Sequence, residues 1–333
     1  SMNTIYFPLE VSILLTLFAA AMWGSWMQIV NHVDDYPITG VIFWLYGFSL
    51  VLVLGVTVVL APVLMPGANV WALILENPQS CLKILMGGAL MSLGLMFNLT
   101  VMSSIGMILA TTVGGSISTV LGIGTSIATE GLPGGPASLP FIILTTALFI
   151  IGSFLSSYAS HCRDKERGNS SKHGTGAVTG KMLVLMLLSS ILVNGWAIGT
   201  SEGTAKGMPP VLTVVLMATG SFLSVALVSA IEFTRKKQWR QVLCLGRPKK
   251  PIVLSAISAC CHYGGNLISI YSMPAISATI SFLLGKSAAL WTIFWGVFYK
   301  EFSGVSAKTR RILWYSIALH IVGIIALAFF KVN

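Results

Sequence analysis

The chain has 333 residues, with 20 Lys and Arg against 10 Asp and Glu, so that charged side chains make up 9%; a soluble domain carries about 25%. Apolar side chains make up 55% and the mean hydropathy is +0.86. Charges this sparse cannot cover a water-exposed surface, which excludes an ordinary cytosolic enzyme or secreted globular domain. The net charge of +10 does not point to nucleic acid either, because the basic residues sit in short clusters between apolar runs.

A membrane-crossing helix takes about 20 apolar residues, so ten would use about 200 of them. Apolar runs bounded by Pro, Gly and charge predict ten spans, an all-α membrane protein: 9–31, 39–65, 82–103, 106–129, 139–160, 182–201, 210–232, 251–271, 275–299 and 310–331. The first run has no basic segment before it and no A-x-A site, and reads as a span rather than a signal peptide. The third and fourth runs are split by a short turn around Ser104–Gly106. Cys81, Cys162, Cys244, Cys260 and Cys261 form no CxxC and no metal spacing, so neither a metal nor a cofactor is expected.

The basic residues fall on one side. Arg163, Lys165, Arg167, Lys172 and Lys181 follow span 5. Arg235, Lys236, Lys237, Arg240, Arg247, Lys249 and Lys250 follow span 7. Lys300, Lys308, Arg310 and Arg311 follow span 9. The opposite loops and ends hold only Lys83, Lys206 and Lys331. Cytoplasmic loops are the Lys/Arg-rich ones, so both termini are expected outside the cell membrane. The N-x-S site at Asn169 then faces the cytoplasm and carries no glycan.

Five spans precede the polar, basic stretch 162–181 and five follow it. The chain therefore divides into a repeat over 1–161, a linker over 162–181 and a repeat over 182–333 of opposite orientation. An offset of 171 residues pairs Gly24 with Gly195, Gly114 with Gly285, Ser116 with Ser287, Glu130 with Glu301, Leu148 with Leu319 and Gly152 with Gly323. Asn98-Leu99 pairs with Asn266-Leu267 at an offset of 168. Inverted repeats are the architecture of secondary transporters, whose halves rock about a midplane site. Gly285-Lys286-Ser287 echoes a P-loop tail, but the first Gly of that motif is missing and the segment is apolar.

Ten spans in a five-plus-five inverted repeat, with a Glu closing spans 4 and 9, resemble the drug/metabolite transporter superfamily over essentially the whole chain. The strings AMWGSW in span 1 and FWGVFYKEFSG in span 9 resemble its sugar-porter branch of rhamnose–proton symporters, glucose/ribose porters and ureide permeases. The resemblance implies proton-driven uptake of a sugar-type solute and an outside N-terminus. Lys286, in the middle of span 9, departs from that branch and turns the expected substrate toward a sugar acid or another organic anion.

Polar residues at membrane depth tend to face a cavity or the bundle interior. Lys286 shares a helical face with Thr279 and reads as an anion contact or a proton-coupling group, the alternative being a structural lysine satisfied by carbonyls. Ser255, Ser258, His262 and Asn266 form one polar stripe on span 8. His262 titrates near neutral pH when unperturbed and suits proton coupling. Asn266 and its repeat mate Asn98 each offer a donor and an acceptor, for a solute or for a neighbouring helix. Trp23, Trp26, Trp196 and Tyr263 offer faces on which a ring stacks. His320 reads as structural, and Glu130 and Glu301 as helix-end or gating groups.

The expected partners are a small polar or anionic solute, a proton and membrane lipid, for a monomer or homodimer. Three rivals stand beside the uptake carrier. One is an exporter of amino acids or other metabolites. The second is a membrane-embedded enzyme, which would need a convergent cluster such as HExxH or paired carboxylates at depth. The third is a channel, which a single central Lys does not suggest.

Overall fold

The computed structural model describes residues 6–30, 32–105, 113–168 and 180–330. Its helices in chain order are α1 (Leu9–Trp23), α2 (Trp26–Val30), α3 (Ile38–Leu64), α4 (Val70–Glu76), α5 (Pro78–Ile105), α6 (Gly115–Glu130), α7 (Leu139–Glu166) and α8 (Gly180–Val193). There follow α9 (Gly195–Ala205), α10 (Pro210–Arg235), α11 (Trp239–Val242), α12 (Lys250–Ile276), α13 (Ala278–Gly285), α14 (Ala288–Phe298) and α15 (Ala307–Ala328). Among the described residues there is no strand, and nine helical stretches are long and apolar enough to cross a membrane. The chain is a multi-pass, all-α membrane protein. The start of the expected fourth span, 106–112, lies outside the described residues; its remainder is α6.

Three of the nine stretches are interrupted. The first breaks at Gly24–Ser25 between α1 and α2, the fifth at Asn194 between α8 and α9, and the eighth at Lys286–Ser287 between α13 and α14. Gly24 is required at its break. A Cβ there would sit 2.5 Å from the Ala288 carbonyl oxygen and 2.6 Å from the Trp291 Cβ. Membrane helices approach this closely only where a residue is small. The same applies between α5 and α10, where a Cβ at Gly88 or Gly220 would collide with the facing backbone at Met217 or Leu85.

The helices pair in a recurring way. α5 packs along α10, and α12 packs along α3. α1 packs against α12, and α8 and α9 pack against α5. α3 meets α10 directly, and α7 meets α15. The main core, which includes Tyr46, Ile84, Met217 and Tyr263, lies among α3, α5, α10 and α12.

The loops after the first, fifth, seventh and ninth predicted spans meet at one end. His32 lies against Tyr299, the Tyr36 hydroxyl donates to the Val242 carbonyl at 2.6 Å, and Arg163 reaches Glu301 at 3.4 Å. Burial raises the pKa of the Tyr36 hydroxyl well above its ordinary value, so it stays a donor. At the opposite end, Glu202 of α9 accepts from Ser80 at 2.9 Å and from Lys83 at 3.0 Å, both on α5.

Two boundaries differ from expectation. α7 runs on to Glu166, which accepts from Thr309 Oγ1 at 3.0 Å, so the first residues of the expected linker are helical and docked. Residues 169–179 of that linker lie outside the described residues. Pro274 does not end the eighth span: α12 continues to Ile276, and the chain breaks at an extended Ser277, whose hydroxyl accepts from the Ile280 N–H at 3.0 Å. A proline removes one N–H donor and crowds the carbonyl of the preceding turn, and membrane helices tolerate it where neighbouring groups satisfy the freed backbone.

Candidate functional site

The polar stripe of α12 faces α1 and α2. Ser258 Oγ donates to the Trp26 carbonyl at 3.0 Å, and Ser255 turns back to the Pro251 carbonyl of its own helix at 2.7 Å. Spacing of three and four residues places these side chains one above another along a helix, which lets a single neighbour engage successive members.

Trp23 is that neighbour one turn higher. Its Nε1 donates to Asn266 Oδ1 at 2.8 Å and approaches the His262 carbonyl at 3.2 Å. The indole lies in a groove of two glycines. A Cβ on Gly265 would come 2.6 Å from Nε1, and one on Gly285 would come 2.9 Å from Cζ3. Trp196 of α9 meets Trp23 edge to face at 5.6 Å between centroids. Trp26 lies 4.9 Å from the His262 ring. Six of the expected residues, Trp23, Trp26, Trp196, His262, Tyr263 and Asn266, are thus linked in one cluster among α1, α2, α9 and α12.

Two members had no signal in the sequence. Tyr46 of α3 is 1% exposed, and its hydroxyl lies 3.2 Å from His262 Nε2. Ser221 of α10 lies 3.2 Å from the Tyr263 hydroxyl and donates to the Gly88 carbonyl at 3.1 Å. Tyr46 falls in the buried stripe Val41, Ile42, Leu45, Tyr46, Ser49 of α3. The period of that stripe marks burial, but nothing in a local pattern names a partner 216 residues away.

The remaining expected residues stand apart. Asn98 accepts from Ser189 Oγ at 3.3 Å, between α5 and α8. Thr279 is fully buried in the first turn of α13, while Lys286 lies just beyond the last turn of that eight-residue helix. The two are therefore at opposite ends of α13. The Lys286 ammonium sits 4.6 Å above the Phe282 ring, a cation–π contact, and Phe282 in turn fills the space over Gly122 of α6. Among the described residues no carboxylate pairs with Lys286. Lys286 follows Gly285, on which Trp23 rests, so α13 joins the ammonium to the aromatic cluster.

Glu130 ends α6, and its carboxylate accepts from the Ala278 N–H at 2.9 and 3.2 Å. A negative charge at the positive end of a helix is favourable, and this contact makes Glu130 the helix-end group of α13. His320 is fully buried, with Nδ1 2.8 Å from the Ser316 carbonyl and its ring against Phe149 and Gly152. It packs α15 on α7, away from the cluster. Among the described residues no group of His, Cys, Asp and Glu is arranged to hold a metal ion.

No family model matches the chain, and no curated protein matches it. A solved structure titled "Crystal structure of protein" superposes with a TM-score of 0.57 at 12% sequence identity, over 96% of this chain and 99% of that one. At that identity the likeness concerns the fold alone, and it extends along nearly the full length of both chains.

Proposed function

We propose that the protein is a secondary active carrier, not an enzyme, which takes up a small polar solute, a sugar or sugar-derived anion, across the cell membrane by alternating access and draws on a proton gradient. On this reading its ten spans form two inverted five-span repeats with both termini outside. The organisation is that of the drug/metabolite transporter superfamily and its sugar-porter branch.

The observation that carries the reading is the pair of interruptions at Gly24–Ser25 and at Asn194, the residue before Gly195, with Gly24 and Gly195 171 residues apart. Each lies in the first span of its half, and the Trp residues beside them meet in the cluster. Discontinuous helices around a midplane site are a hallmark of carriers built from inverted repeats. The packing supports the same reading. Exchanging the halves turns the α5–α10 contact into the α12–α3 contact, and the α1–α12 contact into that of α8 and α9 with α5, while α3–α10 and α7–α15 map onto themselves. The loops after the first, fifth, seventh and ninth predicted spans gather at one end, and the sequence puts most of the Lys and Arg in the last three of them.

Proton coupling is tested with purified protein in liposomes under an imposed pH gradient. Gradient-driven accumulation of the solute is expected for the wild type and lost in His262→Gln and Lys286→Met. Normal accumulation in both variants eliminates these groups as carriers of the coupled proton.

A further inference from the structure

We infer that two hydrogen bonds at the helix interruptions, Asn194–Thr125 and Ser25–Trp295, are the outer and inner latches of the solute path, and that both are shut in this structure. The inference rests on the carrier reading above and names the parts that govern access to its site.

Asn194 stands between α8 and α9, and its Nδ2 donates to Thr125 Oγ1 of α6 at 2.8 Å. Ser25 stands between α1 and α2, and its Oγ accepts from Trp295 Nε1 of α14 at 2.8 Å. The offset of 171 carries Asn194 to position 23, two residues from Ser25, and Thr125 to position 296, next to Trp295. Each bond therefore joins the interruption in the first span of one half to the fourth span of the other half. The residue types differ, so the match is one of position and not of sequence identity.

The two bonds serve opposite ends. Beyond Asn194, α9 leads to Glu202 and its partners Ser80 and Lys83. Beyond Ser25, α2 leads toward His32, and the Trp295 ring of α14 stacks on Tyr299, against which His32 lies. Trp23 and Trp196 are each two residues from a latch residue, and they touch between the two bonds. The aromatic cluster is thus bracketed, with one bond on the way to each end.

An interrupted helix can turn at its break while both pieces stay intact, as hinge residues at element ends do. Each latch is a single side-chain hydrogen bond, and such bonds between membrane helices are worth little enough to part without unfolding. The Asn194 carboxamide oxygen adds a reason to reopen. It is buried and has no partner among the described residues, and buried polar groups are ordinarily satisfied. Water reaching that end would meet it. With both bonds formed, the structure is the occluded form of the carrier, between its outward-open and inward-open forms.

The test is access to one deep thiol. Trp196→Cys is introduced into the full-length protein without native cysteines. Its reaction with a small charged, membrane-impermeant methanethiosulfonate is timed from outside in right-side-out vesicles and from inside in inverted ones. Reaction is expected to be slow from both sides while both latches are intact. Thr125→Val should raise the rate about three- to twentyfold from outside alone, and Ser25→Ala should do so from inside alone, the range that hydrogen bonds between membrane helices supply. Asn194→Ala and Trp295→Phe remove the other partner of each bond and serve where the first variant does not fold. A frayed surface contact would not carry a charged reagent to the depth of the cluster. Rates unmoved by all four variants, raised from both sides by any one of them, or raised from the wrong side overturn the inference and leave the carrier reading standing. Fast reaction from both sides with both latches intact marks an open pore and overturns the carrier reading instead.

Discussion

Trp23→Phe is the substitution that most directly probes the cluster. It removes an indole N–H that lies 2.8 Å from Asn266 Oδ1 and 3.2 Å from the His262 carbonyl. Asn266 is 3% exposed, so its oxygen would be stranded without water, at a cost of about 1–3 kcal/mol. The smaller ring also leaves space over Gly265 and Gly285. Hydrogen bonds between membrane helices couple by about 0.6 kcal/mol on average, with an upper value of about 1.7. The short primary distance and near-complete burial place this one in the upper half, about 1 kcal/mol. A double-mutant cycle of Trp23→Phe and Asn266→Leu, read by reversible unfolding in detergent, measures the term. The single Trp23→Phe change should destabilise by about 2 kcal/mol, with a favourable coupling of about 1 kcal/mol between the two sites. A coupling below about 0.3 kcal/mol, within the usual additivity of independent sites, would mean that the indole does not hold the carboxamide, and the orientation assigned to Asn266 would fall with it.

Further outcomes follow from the same geometry. Lys286→Ala should weaken an anionic solute by about 2–5 kcal/mol if the pair is desolvated, and a neutral one far less; Lys286→Arg should not restore it, because a planar guanidinium does not replace a compact ammonium. Equal losses for both solutes, measured by binding, would return Lys286 to a structural or coupling role. Gly220→Val should cost about 3 kcal/mol or prevent folding, because its side chain would strike the Leu85 carbonyl of α5. Gly55→Val, where nothing lies within 4 Å, should stay within about 0.5 kcal/mol, and thermal unfolding separates the two. A single cysteine at position 168, in a background without native cysteines, should resist membrane-impermeant labelling from outside while one at position 333 reacts. Labelling of 168 in sealed right-side-out vesicles would reverse the topology.

The helices were legible because span length and apolar content are local properties. The α12 stripe was legible too, since a three-four spacing of Ser258, His262 and Asn266 on an apolar helix must face something polar, and it faces Trp26 and Trp23. The interruptions were not legible. Gly24, Asn194 and Lys286 lie in runs whose hydropathy continues unbroken, and what makes Gly24 necessary is the Ala288 backbone of a distant helix. Lys286 illustrates the consequence. It lies at a break, over Phe282, two turns beyond Thr279 at the far end of α13, and no local pattern marks that break. Tyr46 escaped for a related reason, since its period marks it as buried and only the fold supplies His262. The short helix α4 was likewise missed inside an expected loop. It starts where Asn69 Oδ1 accepts from the Trp71 and Ala72 N–H groups, and Trp71 is 75% exposed at its edge, as suits an interfacial aromatic.

The most direct test of the central claim is counterflow. Purified protein is reconstituted into liposomes loaded with an excess of unlabelled solute, chosen as the sugar or sugar acid that binds best, and diluted into a trace of the same solute carrying a radiolabel. A carrier that exposes its site alternately to the two sides must produce a transient uphill accumulation of label, saturable and absent from protein-free liposomes. Label that only equilibrates, without overshoot and without saturation, would contradict alternating access and favour a channel.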